Sequence, residues 1–88
     1  MRRTARAVLN ELRWREPARL LDAVLWYVDR TRPGGYRLIR GSEVVDLERR
    51  YFTTAEARLP YYKIVRIECG EDVLFIRPAV HQRLSGGP

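Results

Sequence analysis

The sequence predicts a small α+β domain: an N-terminal helix packed on a twisted, mostly antiparallel sheet of roughly four or five strands. Three observations lead there. A single apolar stripe of helical period opens the chain. Runs of alternating apolar residues then recur at roughly ten-residue intervals. Between those runs fall proline, glycine and polar turn signals, with no further long amphipathic stretch.

The helix comes first. Ala5, Val8, Leu9 and Leu12 stand at i, i+3, i+4 and i+7, with Arg6, Glu11 and Arg13 off that stripe. Thr4 is a suitable N-cap, and Pro17 ends the helix near Trp14. "PARLLDA" reads as a connector with one helical turn. "AVLWYVDR" is a strand with Val24, Trp26 and Val28 on one face and Leu25 and Tyr27 on the other. Both faces are apolar, which predicts a central position, with Trp26 in the core. Trp14, closing the helix, also reads as core.

"TRPGG" is the strongest turn signal, and "YRLIRG" is the next strand. "SEVVDLERRYFTT" reads as a strand over about residues 43–47, a bend at Glu48-Arg49-Arg50 and an edge at Tyr51–Thr53. "AEARLP" is a polar turn, and the proline-led "PYYK" suits a 3₁₀-like turn. "IVRIEC", "GED" and "VLFIR" form a hairpin with Val73 and Phe75 on one face and Leu74 and Ile76 on the other. Residues 1–80 are expected to form the single domain, and 81–88, ending Ser-Gly-Gly-Pro, a flexible tail.

Composition narrows the function. The chain has 88 residues and a net charge of +6, and that charge comes almost wholly from arginine, Lys63 being the single lysine. Such a surface attracts polyanions, RNA or DNA first among them. An arginine-rich genome or a hot habitat would also produce the bias. The lone cysteine, Cys69, forms no internal disulfide and fits a reducing cytoplasm. No stretch approaches the roughly 20 apolar residues of a membrane span. The basic-then-apolar start is broken by Glu11, Arg13 and Arg15 too early for a signal peptide.

Catalytic constellations are poor. His81 is the only histidine and sits in the expected tail, away from any serine or from Cys69. Glu68, Glu71 and Asp72 gather at a hairpin turn and read as a solvated acidic turn rather than metal ligands. No catalytic residue, metal site or cofactor is expected. What remains is arginine and tyrosine interleaved on strands and turns: Arg30, Arg37, Arg40, Arg49, Arg50, Lys63 and Arg66 among Tyr36, Tyr51, Tyr61 and Tyr62. Guanidinium forks suit phosphate oxygens, and tyrosine rings stack on unpaired bases. That chemistry favours single-stranded or terminal RNA over duplex grooves. The competing structural reading is a solvated basic face with tyrosines capping the core.

Five segments in order resemble the archaeal UPF0248, or DUF504, family. "VLNELRW" resembles its N-terminal helix and "WYVDR" its strand ending in an aspartate-arginine pair. "RLIRGSEVVDLERRYF" resembles the next strand with its glycine, and "GEDVLFIRP" the closing hairpin. "LPYYKIVRI" resembles a proline-led motif usually read as Ile-Pro-x-His-Arg-Ile. The resemblance spans about residues 6–78. It implies recognition of RNA ends, 2′,3′-cyclic phosphate ends in particular, and carries Trp14, Asp29, Arg30, Gly41, Pro60 and Lys63 as matching positions. Tyr62 stands where the family usually has histidine, and Lys63 where it has arginine. A phenol hydrogen-bonds and stacks but is a weak acid/base at neutral pH, and lysine keeps the charge while losing the bidentate fork.

The expectation is therefore binding rather than catalysis. Arg30 and Lys63 would hold a terminal or backbone phosphate, and Tyr62, with Tyr61, would offer a ring face or a hydrogen bond. Arg37, Arg40 and Arg66 would steer the strand, and Asp29 would orient Arg30. The alternatives are a homo-oligomer or protein-interaction module pairing through strand edges, and an RNA-end phosphodiesterase.

Overall fold

The computed structural model describes residues 3–77. The expected tail at 81–88, with His81, lies outside the described residues. The α+β class stands as expected. Helix α1 spans Ala5–Arg15, and the Thr4 hydroxyl accepts a hydrogen bond from the Ala7 N–H at 3.0 Å. Its buried side chains are the predicted stripe, Ala5, Val8, Leu9 and Leu12. The helix closes where Glu16 leaves helical geometry. Pro17 then opens the short helix α2 (Pro17–Leu21), a position where a missing N–H is harmless.

The strands are β1 (Ala23–Val28), β2 (Tyr36–Arg40), β3 (Asp46–Leu47), β4 (Tyr51–Thr53), β5 (Arg58–Pro60), β6 (Ile64–Cys69) and β7 (Asp72–Ile76). They form two antiparallel sheets rather than one, ordered β2-β1-β6-β7 and β3-β4-β5. β1 is central, as its two apolar faces predict. The segment read as the turn "AEARLP" is half strand, because Arg58–Pro60 pairs with β4. Pro60 fits there because β5 is an edge, where no ladder hydrogen bond needs its nitrogen.

One face of the larger sheet carries Leu25, Tyr27, Ile39, Ile64, Ile67 and Phe75, and these pack with the α1 stripe. Phe52 of β4 brings the small sheet into the same cluster. Fully burying a side chain of this size contributes roughly 1.5–3 kcal/mol each. Among the described residues no second layer covers the other face. Val24, Trp26 and Val28 are half-buried there, and Leu38, Val73 and Ile76 are exposed. The bulge in β6–β7 pairing sets Leu74 against the core and leaves Val73 outside, so the expected pairing of Val73 with Phe75 on one face fails.

Neither tryptophan is core. Trp26 lies on the open face, edge-on to Tyr36, and donates its indole N–H to Glu68 at 3.2 Å. Trp14 is 79% exposed. Two residues past Leu12, it is rotated about 200° from the stripe. Gly41 is explained by packing: a Cβ there would sit 1.8 Å from the Leu20 carbonyl oxygen, so only glycine lets the chain after β2 pass against α2.

Candidate nucleic-acid interface

The motif "PYYK" separates two adjacent tyrosines. Pro60 is extended, at φ −75° and ψ 141°, and a 3₁₀ turn over Tyr61–Lys63 follows, as the sequence predicts. The turn sends Tyr61 inward and Tyr62 outward, so they are 8% and 70% exposed. Tyr61 packs on Phe52 with ring centroids 5.7 Å apart, and Phe52 packs in turn on Tyr27 at 6.2 Å. The Tyr61 N–H donates to the Arg50 carbonyl at 3.3 Å, and its hydroxyl donates to the Glu48 carbonyl at 2.6 Å. Burial raises the pKa of both Tyr61 and Tyr27. Tyr61 is therefore a core residue whose hydroxyl is already committed.

Tyr62 is a ridge between two open cavities. The first, about 630 Å³, is lined by Tyr27, Leu59, Tyr62, Lys63, Arg37 and the segment from Val28 to Thr31. It gathers Asp29, Arg30, Arg37, Tyr62 and Lys63 from the candidate set. The Lys63 ammonium stands 6.0 Å from the centre of the Tyr27 ring. Arg37 reaches Glu56 at 3.4 Å. Asp29 does not orient Arg30. Its carboxylate accepts from the Thr31 N–H at 3.0 Å and hydroxyl at 2.5 Å, and lies 3.6 Å from the Arg32 guanidinium. The short acidic side chain bonds the backbone two residues on, and no ion pair joins it to Arg30. Those Thr31 hydrogen bonds hold the Asp29 carboxyl below its ordinary pKa, with Arg32 adding to the effect. The loop closes through Asp29 N–H to the Gly35 carbonyl at 2.9 Å, with Gly34 and Gly35 at φ 81° and 83° supplying the turn.

The second cavity, about 570 Å³, lies at the start of α1. Its floor is Ala5, Tyr61 and Phe75, and its rim is Arg3, Arg6, Arg49, Arg50 and Arg77. Of these arginines, Arg49 and Arg50 are among the interleaved basic residues of the sequence but have no role in the expected site, and the other three are not in that set. Arg3 precedes the cap of the first helix, Arg6 lies in its first turn, Arg49 and Arg50 stand in the turn before β4 and Arg77 follows β7, so no local pattern joins them. The doublet Arg49-Arg50 beside Tyr51 is the one visible hint.

The ion pairs sort the cations. Arg3, Arg13, Arg15, Arg19, Arg32, Arg37, Arg58 and Arg66 each reach a carboxylate. Arg6, Arg30, Arg49, Arg50, Lys63 and Arg77 reach none among the described residues, and all six line the two cavities. Arg40 also lacks a carboxylate partner there, but it lies at the far end of β2 on the open face, opposite Val24. Arg66 is on that face too, 5.9 Å from the Trp26 ring and 2.6 Å from Glu68. The structure thus brings Arg30, Arg37, Tyr62 and Lys63 together and leaves Arg40 and Arg66 apart from them. Trp14 and Gly41 are in neither cavity.

This arrangement can attract anions and offer an aromatic face. Among the described residues no three His, Cys, Asp or Glu side chains stand close enough to hold a metal ion. The acidic turn is divided: Glu68 faces Arg66, while Asp72 pairs with Arg19 at 2.6 Å. Cys69 is buried, with Sγ 3.5 Å from the Arg19 carbonyl. No described helix is long and apolar enough to cross a membrane.

No family model and no solved structure matches the chain. A UPF0248 protein of the archaeon Methanopyrus kandleri is 32% identical to it over 56 residues, which cover 64% of this chain and 76% of that relative. That identity over three quarters of the relative, with the ordered motifs above, places the chain in the UPF0248 family.

Proposed function

We propose that this protein is an RNA-binding module that takes a single-stranded or processed RNA end across the Tyr62 ridge. The observation that carries the reading is the segregation of carboxylate-free cations beside one exposed tyrosine. A general arginine bias would scatter them. Arg30 and Lys63 hold a terminal or backbone phosphate in the first cavity, and the Tyr62 ring stacks on a base. Arg37 shapes the wall. Arg40 and Arg66, on the open sheet face, contribute only to the long-range field, which decays over about 8–10 Å at ordinary salt. The function is binding, not turnover, because tyrosine replaces the motif's usual histidine.

The test is titration of a fluorescent single-stranded RNA at low and moderate salt, against the wild type and the Arg30→Ala/Lys63→Ala double variant. Two charge-assisted contacts at roughly 1.5–3 kcal/mol each predict a loss of about a hundredfold or more. Absence of RNA binding by the wild type at low salt would sink the reading. Self-association is a second reading, drawn from exposed Leu38, Val73 and Ile76 on the open face. A concentration-dependent dimer in light scattering that is lost in Leu38→Lys or Ile76→Lys would favour it.

A further inference from the structure

We propose that the cavity at the start of α1 is a nucleotide subsite: Tyr61, Phe75 and Ala5 receive the base and ribose, while Arg49, Arg50 and Arg77 take a phosphate. The inference rests on the RNA-end reading and extends it to the other side of Tyr62. An RNA strand then crosses the ridge, with one nucleotide in each cavity and the Tyr62 ring between them.

Three features carry the inference. The cavity, at about 570 Å³, lies within the roughly 300–1,000 Å³ range of small-ligand sites. Its chemistry is divided between an apolar and aromatic floor and a guanidinium rim, which matches a planar base joined to a phosphate better than either part alone. The third feature is Arg77. It is half-buried, its Nε donates to the Ile64 carbonyl at 2.9 Å, and its Nη2 donates to the Tyr61 carbonyl at 3.1 Å. Its other terminal nitrogen, Nη1, has no hydrogen-bond partner among the described residues. Desolvation lowers its pKa, and no described carboxylate compensates that charge. This half-buried guanidinium, held by carbonyls on the wall of an open cavity, has no counter-anion among the described residues. Arg49 and Arg50 are exposed on the rim above it and belong to the turn fixed by Tyr61.

The experiment uses the full chain and a short single-stranded RNA carrying a 3′-phosphate. The variant is Arg49→Ala/Arg50→Ala, both exposed, so the fold is preserved. We expect RNA affinity to fall by roughly tenfold or more. The slope of log affinity against log salt should shrink by about 0.7 for each phosphate that the variant no longer neutralises. In NMR titrations adenosine 3′-monophosphate should shift the Phe75 and Tyr61 ring signals, and inorganic phosphate should not. Unchanged RNA affinity in this variant, alongside loss in Arg30→Ala/Lys63→Ala, would overturn the subsite and leave the RNA-end reading intact. Equal effects of inorganic phosphate and the nucleotide, with no ring shifts, would reduce the cavity to a plain anion site and also overturn the inference. Failure of the wild type to bind the RNA would fell both.

Discussion

The two ends of the central strand carry opposite leftover charge. Where β1 begins, Ala23 pairs with Cys69, close to Asp22 and the Gly70-Glu71 turn. There Asp22 and Glu71 reach no cation among the described residues. Where β1 ends, Tyr27 pairs with Ile64, beside Tyr62, Lys63 and the Arg30 loop, and Arg30 and Lys63 reach no carboxylate among the described residues. The strand between spans about 20 Å, two Debye lengths or more at physiological salt. Net charge alone is therefore a poor guide to this protein. Among the described residues ion pairing consumes most of the arginines in place and, Arg40 apart, leaves the remainder at one end, where the exposed aromatic also sits.

Changes at the basic end should have the larger effects. Tyr62→Ala should lower RNA affinity by about 1–3 kcal/mol, roughly a thirtyfold loss at mid-range, without moving the melting temperature. A binding curve unaltered by that change would remove the ridge from the account. Tyr61→Phe should do the reverse: it loses the hydroxyl bond to Glu48 and about 1 kcal/mol of stability, read by urea unfolding.

Acid provides a smaller probe. The folded-state pKa of Asp29 is depressed, so its bonds stabilise the loop above the ordinary carboxylate value of 3.8. That contribution is lost as pH falls through the lower folded value. The protection factor of the Thr31 amide, its exchange corrected for the intrinsic pH dependence, should fall below about pH 4, and in Asp29→Asn that acid-dependent step should vanish. The smallest expected effect is at the acidic end. Asp22→Asn/Glu71→Gln raises the net charge by two, yet RNA affinity at 0.15 M salt should change by less than about twofold. A gain comparable to the loss in Tyr62→Ala would show that affinity follows net charge, and the contrast between the ends would fail.

Much of the fold is legible because its signals are local. The α1 stripe, the Thr4 cap, the β1 and β6 runs and the 3₁₀ turn at Tyr61–Lys63 each follow from periodicity or capping. Residue type alone misplaces Trp14, although its angle on the stripe already puts it outside. Trp26 is misplaced because a two-faced apolar strand does not say whether its second face is covered. β5 escapes because three residues are too few to display a period of two. In the site, Tyr62, Lys63, Arg30 and Arg37 follow from the motif and its neighbourhood. Arg6 and Arg77 cannot, since 71 residues separate them and only the packing of α1 beside β7 makes them neighbours. The true partner of Asp29 is legible in principle, because Asp followed two residues later by threonine is itself a turn signature.

Tyr61 clasps the Glu48–Arg50 turn twice, once through its backbone and once through its hydroxyl. The consequence is preorganisation. A ligand that meets Arg49 and Arg50 finds their backbone already ordered, so that share of the conformational entropy is lost on folding and not on binding. Through its backbone and hydroxyl, apart from anything its ring meets, Tyr61 would in this way set how long a bound nucleotide stays.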